Sequence, residues 1–376
     1  MVPKMPKMLY ITNIYEDKSD GIWNKIKYNV LAYQRLGFDV DFAYRKEDGF
    51  YVIENEPYTE NSKSQVVECI YKDLFYYNLS LKINCEYDLV YIRKPVGGAG
   101  FIFLKALLKK LKNNRRCKIV FEIPTFPYEK EINTARLKIS DLILKCCLPF
   151  TYKYIDVITY MGDKYERIWG VPTLRIANGI DLNFINVVRT ELKPLNDEFI
   201  FVGVARLSFW HGYDRLIKAI YNYKGKYTLK FIIVGSGEPE MSALQEKVRQ
   251  YGIQDNILFT GSKSGNELDA IYEQAHVCVD SLGRHRSGSF YNSSLKSKEY
   301  TAKGLPFIKS HMDDSFMDVD FIFDVTPDEK DIDVKEIIQW YSSLSLDTPA
   351  RMRHFAHDNL SWDIQCKKIL NELLIK

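Results

Sequence analysis

No C-x-x-C pair occurs among the seven cysteines, an odd number, and Cys146 and Cys147 are adjacent within an apolar run. Neither a disulfide framework nor a metal site has that form, so buried free thiols in a reducing compartment are expected. No uninterrupted apolar run reaches the roughly 20 residues of a membrane-spanning helix. The opening MVPKMPKMLYIT also lacks the apolar core and cleavage site of a secretion signal. The expected location is therefore the cytoplasm. Charge of one sign is scarce too: 52 Lys and Arg against 49 Asp and Glu leave a net +3, with no basic run interleaved with base-stacking aromatics. That excludes nucleic acid as a partner and leaves any anion site to be a local one.

What the chain does have is core. Hydrophobic residues make up 46% and aromatics 14% of 376 positions, which argues against disorder, and the length exceeds what one core usually serves, so two domains are expected. Residues 8–12 read as an apolar strand, followed by a polar loop with Asp20 and Gly21, a helix over 23–36 and a strand at 40–43. Buried strands follow at 89–92, 119–122, 156–159 and 174–176, with a helix over 100–112. This is the pattern of a doubly wound α/β domain, whose ligands collect at the carboxyl ends of the strands, here Asn13, Gly21, Arg93, Glu122 and Thr125. After Ile176 a polar stretch, ANGIDLNFINVVRTELKPLNDE, ends in a linker, and a second parallel set begins at 199–204, 229–234, 257–259, 277–279 and 306–308. The expected boundaries are 1–182, a linker at 183–197, and 198–357, with an amphipathic helix closing the chain within 358–376. A cleft between the two domains is the expected site.

One stretch concentrates the chemistry: DSLGRHRSGSFYNSSLKSKEYTAKGLPFI, residues 280–308. Asn292, Ser293 and Ser294 suit the cap of a helix beginning near Leu295, whose unpaired amides and positive dipole end favour an anion such as phosphate. Within that helix Lys296 and Glu299 are spaced to share a face, and Gly304 before Pro306 marks its end. A capped surface helix with an ordinary Lys/Glu pair would read the same way.

VARLSFWHGYDRLIKAI, FIIVGSGEPE, ILFTGSKSGNELDAIYEQAHVCVDS and SLKSKEYTAKGLPFI occur in the order and spacing of retaining glycosyltransferases of the GT-B fold. The chain resembles the large family-four, or group 1, class. ANGIDLNF resembles the family's segment before its linker, and LSWDIQCKKILNELL its closing helix, which crosses back to the first domain. The resemblance implies an α/β chain of two Rossmann-like doubly wound parallel-sheet domains facing a central cleft. It also implies transfer of a sugar from a nucleotide donor to a glycan or lipid-linked glycan, with no metal and no cofactor beyond the donor.

By resemblance, an Arg and a Lys five residues apart clamp the donor diphosphate, and the matching positions are Arg206 and His211. A leaving diphosphate gains charge as the glycosidic bond breaks, so cations there favour the transition state. Arg206 is permanently charged, whereas a bound anion would have to raise the pKa of His211 above about 6.5 for it to act as a cation. Gly235 and Gly237 match the turn where the nucleotide approaches backbone; Ser262 and Lys263 match the base-reading loop. Tyr291, Asn292, Ser293, Ser294, Leu295 and Lys296 complete the donor set with Gly21. The family's paired carboxylates are eight positions apart. Glu299 matches the ribose-binding second, but the first is replaced by Tyr291, which leaves Tyr291, Asp280, or Arg284, His285 and Arg286 as substitutes. Where many relatives place a histidine, FEIPTFPYEKE has Pro124 and Thr125, and Glu122 is the candidate to position the acceptor.

LKALLKKLKNNRRCK and ARLKISDLILKCCLPFTYKY mix Lys and Arg with Leu and Ile at helical spacing. They suit peripheral contact with an anionic inner membrane face, or core helices with a solvated basic side. Two rivals to transfer remain open on the residues: another GT-B nucleotide-sugar chemistry such as epimerisation, and a silent relative that binds a partner.

Overall fold

The structure, a computed structural model, describes residues 5–375 except 18–20, 47–49, 61, 69–71, 85, 96–99, 129–131 and 133, so Asp20 of the anticipated loop lies outside it. The chain divides into two compact units, Met1–Gly179 with Trp362–Lys376, and Ile180–Ser361.

The first unit contains β1 (Lys7–Tyr15), α1 (Gly21–Arg35), β2 (Asp39–Arg45), β3 (Phe50–Asn55), β4 (Lys63–Glu68), α2 (Phe75–Lys82) and β5 (Leu89–Arg93). It continues with α3 (Gly100–Leu111), β6 (Lys118–Phe126), α4 (Ala135–Thr151), β7 (Val157–Gly162), β8 (Arg167–Ile168) and β9 (Val171–Arg175). The sheet has nine strands in the order β4-β3-β2-β1-β5-β6-β7-β9-β8. β2, β1, β5, β6, β7 and β9 run parallel, so both faces are covered and the strands read as continuous apolar runs. Alternation assigns the faces: Leu9, Ile11, Val90 and Ile92 meet α2 and α3, while Met8, Tyr10, Leu89 and Tyr91 meet α1. The antiparallel hairpin of β3 and β4 extends the sheet beyond β2 and was not legible as strands.

The second unit runs β10 (Glu198–Val204), α5 (Tyr213–Asn222), β11 (Thr228–Val234), α6 (Glu240–Tyr251), β12 (Ile257–Gly261), α7 (Gly265–Tyr272) and β13 (Val277–Val279). Then come α8 (Leu295–Lys303), β14 (Phe307–Lys309), β15 (Ile322–Asp324), α9 (Val334–Ser343) and α10 (Thr348–Asn359). Its six strands are all parallel, ordered β12-β11-β10-β13-β14-β15. The order reverses between β10 and β13, and a sheet wound this way presents its crevice at the carboxyl ends of those strands. Those ends carry Arg206 to His211 on one side and Asp280 to Leu282 on the other.

The chain closes with α11 (Trp362–Glu372), which belongs to the first unit: Trp362, Cys366 and Ile369 are buried with Trp23, Ile26 and Val30 of α1. Arg35 of α1 donates to both oxygens of Asp363 at 2.8–3.1 Å. Among the described residues no helix is long and apolar enough to cross a membrane. Cys117, Cys278 and Cys366 are buried free thiols as expected, but Cys146 is exposed, because its helix α4 turns that side to solvent.

Candidate functional site

The loops after β10, β11 and β12 are stitched together by backbone. The Ala205 amide donates to Val234, Leu207 to Ser236, and Gly235 to Gly261, at 2.8–2.9 Å. This stitching demands glycine: at Gly235 (φ +125°) a Cβ would sit 1.9 Å from the Ala205 carbonyl oxygen, and at Gly237 (φ +151°) 2.5 Å from that of Leu207. The result is an open pocket of about 300 Å³ lined by Ala205, Arg206, Gly235, Ser236, Ser262 and Lys263. Arg206 is exposed and, among the described residues, makes no hydrogen bond or ion pair. Lys263 is held by Glu267 at 3.1 Å. Ser236, passed over in the sequence, lies between the two glycines and reaches Ser262, hydroxyl to hydroxyl, at 3.4 Å.

His211 ends a short turn, Phe209–His211, and is buried. Its Nδ1 lies 3.1 Å from the Ser208 amide and 3.2 Å from the Ser208 carbonyl oxygen. Burial, and then the charge of Lys296, push its pKa down to about 3 against the pull of Asp280. In the structure His211 is thus a neutral imidazole rather than a second cation beside Arg206, which follows from its burial beside an existing cation.

That cation stands at the start of α8. Asp280, at the end of β13, is fully buried and accepts from the Ser281 amide (2.7 Å) and the Ser297 hydroxyl (2.5 Å), with the Lys296 ammonium 3.0 Å away. Burial alone would raise its pKa, but Lys296, His311 and the hydroxyls of Ser294 and Ser297 hold it well below the usual carboxylate range. Lys296 is ion-paired there, and its buried ammonium nitrogen donates no hydrogen bond to the described residues. The expected Lys296/Glu299 proximity is not what forms: Lys296 turns to Asp280, and Glu299 to Lys303 at 3.9 Å.

Ser294 is the N-cap of α8, but its side chain makes no capping hydrogen bond, because it is turned to Asp280; the Ser293 hydroxyl accepts from buried Lys298 at 2.9 Å. The Asn292 and Ser293 caps anticipated from the sequence are therefore corrected, while Gly304 ends the helix in the left-handed region as expected. Half-buried Glu299 receives no hydrogen bond from the described residues; burial raises its pKa, with Lys303 offsetting part.

Of the substitutes for the missing carboxylate, Tyr291 is buried and bridges to Met312, and Asp280 is saturated by its own neighbours. Arg286 is committed to Asp214 and Glu329 at 2.7–3.0 Å, and His285 to Glu329 at 2.7 Å. Arg284 lies 6.0 Å from the ring of Trp210.

In the first unit, Glu122 is 1% exposed. One of its oxygens accepts from Arg93 (2.6 Å) and Lys25 (3.3 Å), and these cations outweigh burial to lower its pKa. A group positioning an acceptor must be reached by it, so Glu122 is corrected to the buried anion of an ion network. Gly21 opens α1, and a Cβ there would meet nothing within 4 Å. Beside Thr125 the sequence did not disclose a mainly apolar pocket of about 200 Å³, lined by Lys94, Ile123, Tyr128, Leu137 and Leu144.

Residues 186–284, which hold β10 to β13 and the Arg206 pocket, match the family model described as glycosyl transferases group 1. This stretch is similar to the group 1 glycosyltransferases. A glycosyltransferase of Methanocaldococcus jannaschii, itself uncharacterised, is 30% identical over 145 residues, 34% of this chain and 37% of that protein. The α-monoglucosyldiacylglycerol synthase of Streptococcus pneumoniae is 24% identical over 153 residues, 40% of this chain and 32% of that protein. The matches thus span about a third of the curated relatives' length. Among solved structures, sucrose-phosphate synthase of Thermosynechococcus elongatus superposes with a TM-score of 0.63 at 17% identity, covering 99% of both chains. The catalytic domain of starch synthase IV of Arabidopsis thaliana, bound to ADP and acarbose, does so with 0.63 at 12% identity, over 98% and 99%. These likenesses show the fold of the whole chain, GT-B.

Proposed function

We propose that the chain is a retaining glycosyltransferase that moves a sugar from a nucleoside-diphosphate donor to a glycan or lipid-linked glycan in the synthesis of bacterial surface polysaccharide or glycoconjugate. It works without a metal, in the cytoplasm at the inner membrane face. The observation that carries the reading is Arg206: a permanent cation over an open pocket with no anion among the described residues to neutralise it. Gly235 and Gly237 let a nucleotide lie against backbone, and Glu299, which accepts no hydrogen bond from the described residues, offers its carboxylate to ribose hydroxyls. Lys296, fixed by Asp280 at the start of α8, takes the second cation's place that His211 vacates. As the sugar leaves, the diphosphate gains charge between Arg206, Lys296 and the first amides of α8, and that gain is larger in the transition state than before it. The ADP of the starch synthase complex supports a nucleotide donor.

A thermal-shift screen of UDP, GDP, dTDP and CDP sugars identifies the donor. With it, Arg206→Ala is expected to lower turnover roughly 100-fold while changing donor affinity far less, and Lys to restore only part, lacking the planar fork. Wild-type turnover in both variants would refute the assignment. The neutral His211 and buried Tyr291 favour one rival, a silent binding protein. Release of free nucleotide from the sugar donor by the purified chain would exclude it.

A further inference from the structure

α4 is an apolar helix that the protein leaves uncovered. Of its 17 residues only Ser140, Leu144 and Thr151 are buried, although it also carries Leu137, Ile139, Leu142, Ile143, Leu148 and Phe150. Ile139, Leu142, Cys146 and Phe150 recur at the spacing of one helical face, and that face is bare: Ile139 and Leu142 are each 61% exposed and Phe150 56%. α3 continues the same surface. Ile102 is 55% exposed, and Lys105, one turn on, holds its ammonium 5.0 Å from the Phe150 ring.

Charge is distributed just as unevenly. Residues 100–118 and 135–154 hold eleven Lys and Arg and a single acid, Asp141, in a chain whose net charge is only +3, so the remainder of the chain is net negative. Asp141 does not dilute the surface, since it accepts from Tyr128 at 3.1 Å and pairs with Lys145 at 2.7 Å. A nucleic acid would use the cations and leave the apolar stripe in water. A partner helix would cover the stripe and leave the cations unmatched. A bilayer with anionic headgroups satisfies both at once.

We propose that the α3–α4 face of the first unit docks on an anionic bilayer. Ile102, Ile139, Leu142 and Phe150 enter the acyl boundary, while Lys105, Lys109 and Lys138 meet the headgroups. The inference specifies the membrane contact of the functional reading and rests on that reading only for its purpose, since a lipid-linked acceptor would be met at such a surface.

The test is flotation of the full chain with vesicles of phosphatidylcholine alone and of phosphatidylcholine mixed with phosphatidylglycerol. Binding is expected to the mixed vesicles, to weaken as salt rises, and to be slight on the neutral ones. Ile139→Asp with Leu142→Asp, and separately Lys105→Glu with Lys109→Glu, should each lower partitioning about tenfold or more. All four side chains are exposed, so melting temperature and nucleotide binding should not change. Equal partitioning of wild type and variants, or no flotation at all, overturns the proposal. So does a dimer in sedimentation that the same variants dissociate, because the face would then serve a second copy. If transfer activity is never found but the vesicle result holds, the docking face stands and the transfer reading fails; the converse result removes the face alone.

Discussion

Arg206 and His211 lie five residues apart on one loop, yet only Arg206 keeps a permanent charge. The histidine is neutral because the protein has withdrawn water from it and, in second place, set Lys296 near it, so that a second cation there would repel the first. The depressed pKa has a definite sign. His211 binds no proton in the folded state until pH nears 3, so it lends donor binding no pH dependence in the neutral range. Affinity for a sugar-capped diphosphate is expected to stay flat from about pH 5.5 to 8.5 and to survive His211→Gln, since the range brackets an ordinary histidine titration. A rise toward the acid end that His211→Gln abolishes would restore the histidine as a cation. Glu299 gives a second residue-scale expectation: Glu299→Ala should weaken nucleoside diphosphate binding by about 1.5–3 kcal/mol, the worth of a charged hydrogen bond, and unchanged affinity by calorimetry would remove it from the site. None of the histidine's state was legible in the sequence. The motif places a residue, but its charge depends on Ser208, Lys296 and Asp280, which meet only in the folded unit.

The glycine turn after β11 carries most of the pocket's shape. Gly235→Ala would drive a methyl into the Ala205 carbonyl at a backbone angle that L side chains avoid. The variant is expected to lose more than about 1 kcal/mol of stability and to lose nucleotide response in thermal shift together, whereas Gly252→Ala, with nothing within 4 Å, should lose stability only. Equal nucleotide response in both variants would detach the turn from the site. The elements read well wherever burial was two-sided. β10 and β11 carry the apolar runs FIFVGV and FIIV because both of their faces are covered there. The hairpin of β3 and β4 was missed because FYVIEN and KSQVVE lie outside the central strands, where burial is partial and the pattern weak. α4 was ambiguous for the opposite reason: its composition fits a covered helix equally well, and only its neighbours reveal that it is not covered.

At the scale of the molecule, the buried histidines act in concert. His211, His276 and His311 all have lowered pKa values, the last two about 4, with burial the first cause in each. A depressed histidine contributes its stability fully above the unfolded value near 6.5 and loses it as pH falls toward the folded value. Stability is therefore expected to drop from about pH 6.5 downward, each such group adding proton uptake on unfolding of close to one near pH 5.5. His276→Gln should lower that uptake by about one in calorimetry across buffers of different ionisation enthalpy, and an unchanged uptake would mean that the ring is protonated in the fold.

The pairing of α11 with α1 has a consequence for synthesis. Because the last helix completes the first unit, the whole of the second unit is translated as an insertion inside it. Emerging from the ribosome, the first unit waits with Trp23, Ile26 and Val30 lacking their partners Trp362, Cys366 and Ile369, while residues 180–361 are made and are free to fold. The part translated first is thus the part finished last, and a nascent chain stalled before Trp362 should present a greasy groove on α1 to whatever chaperone attends it.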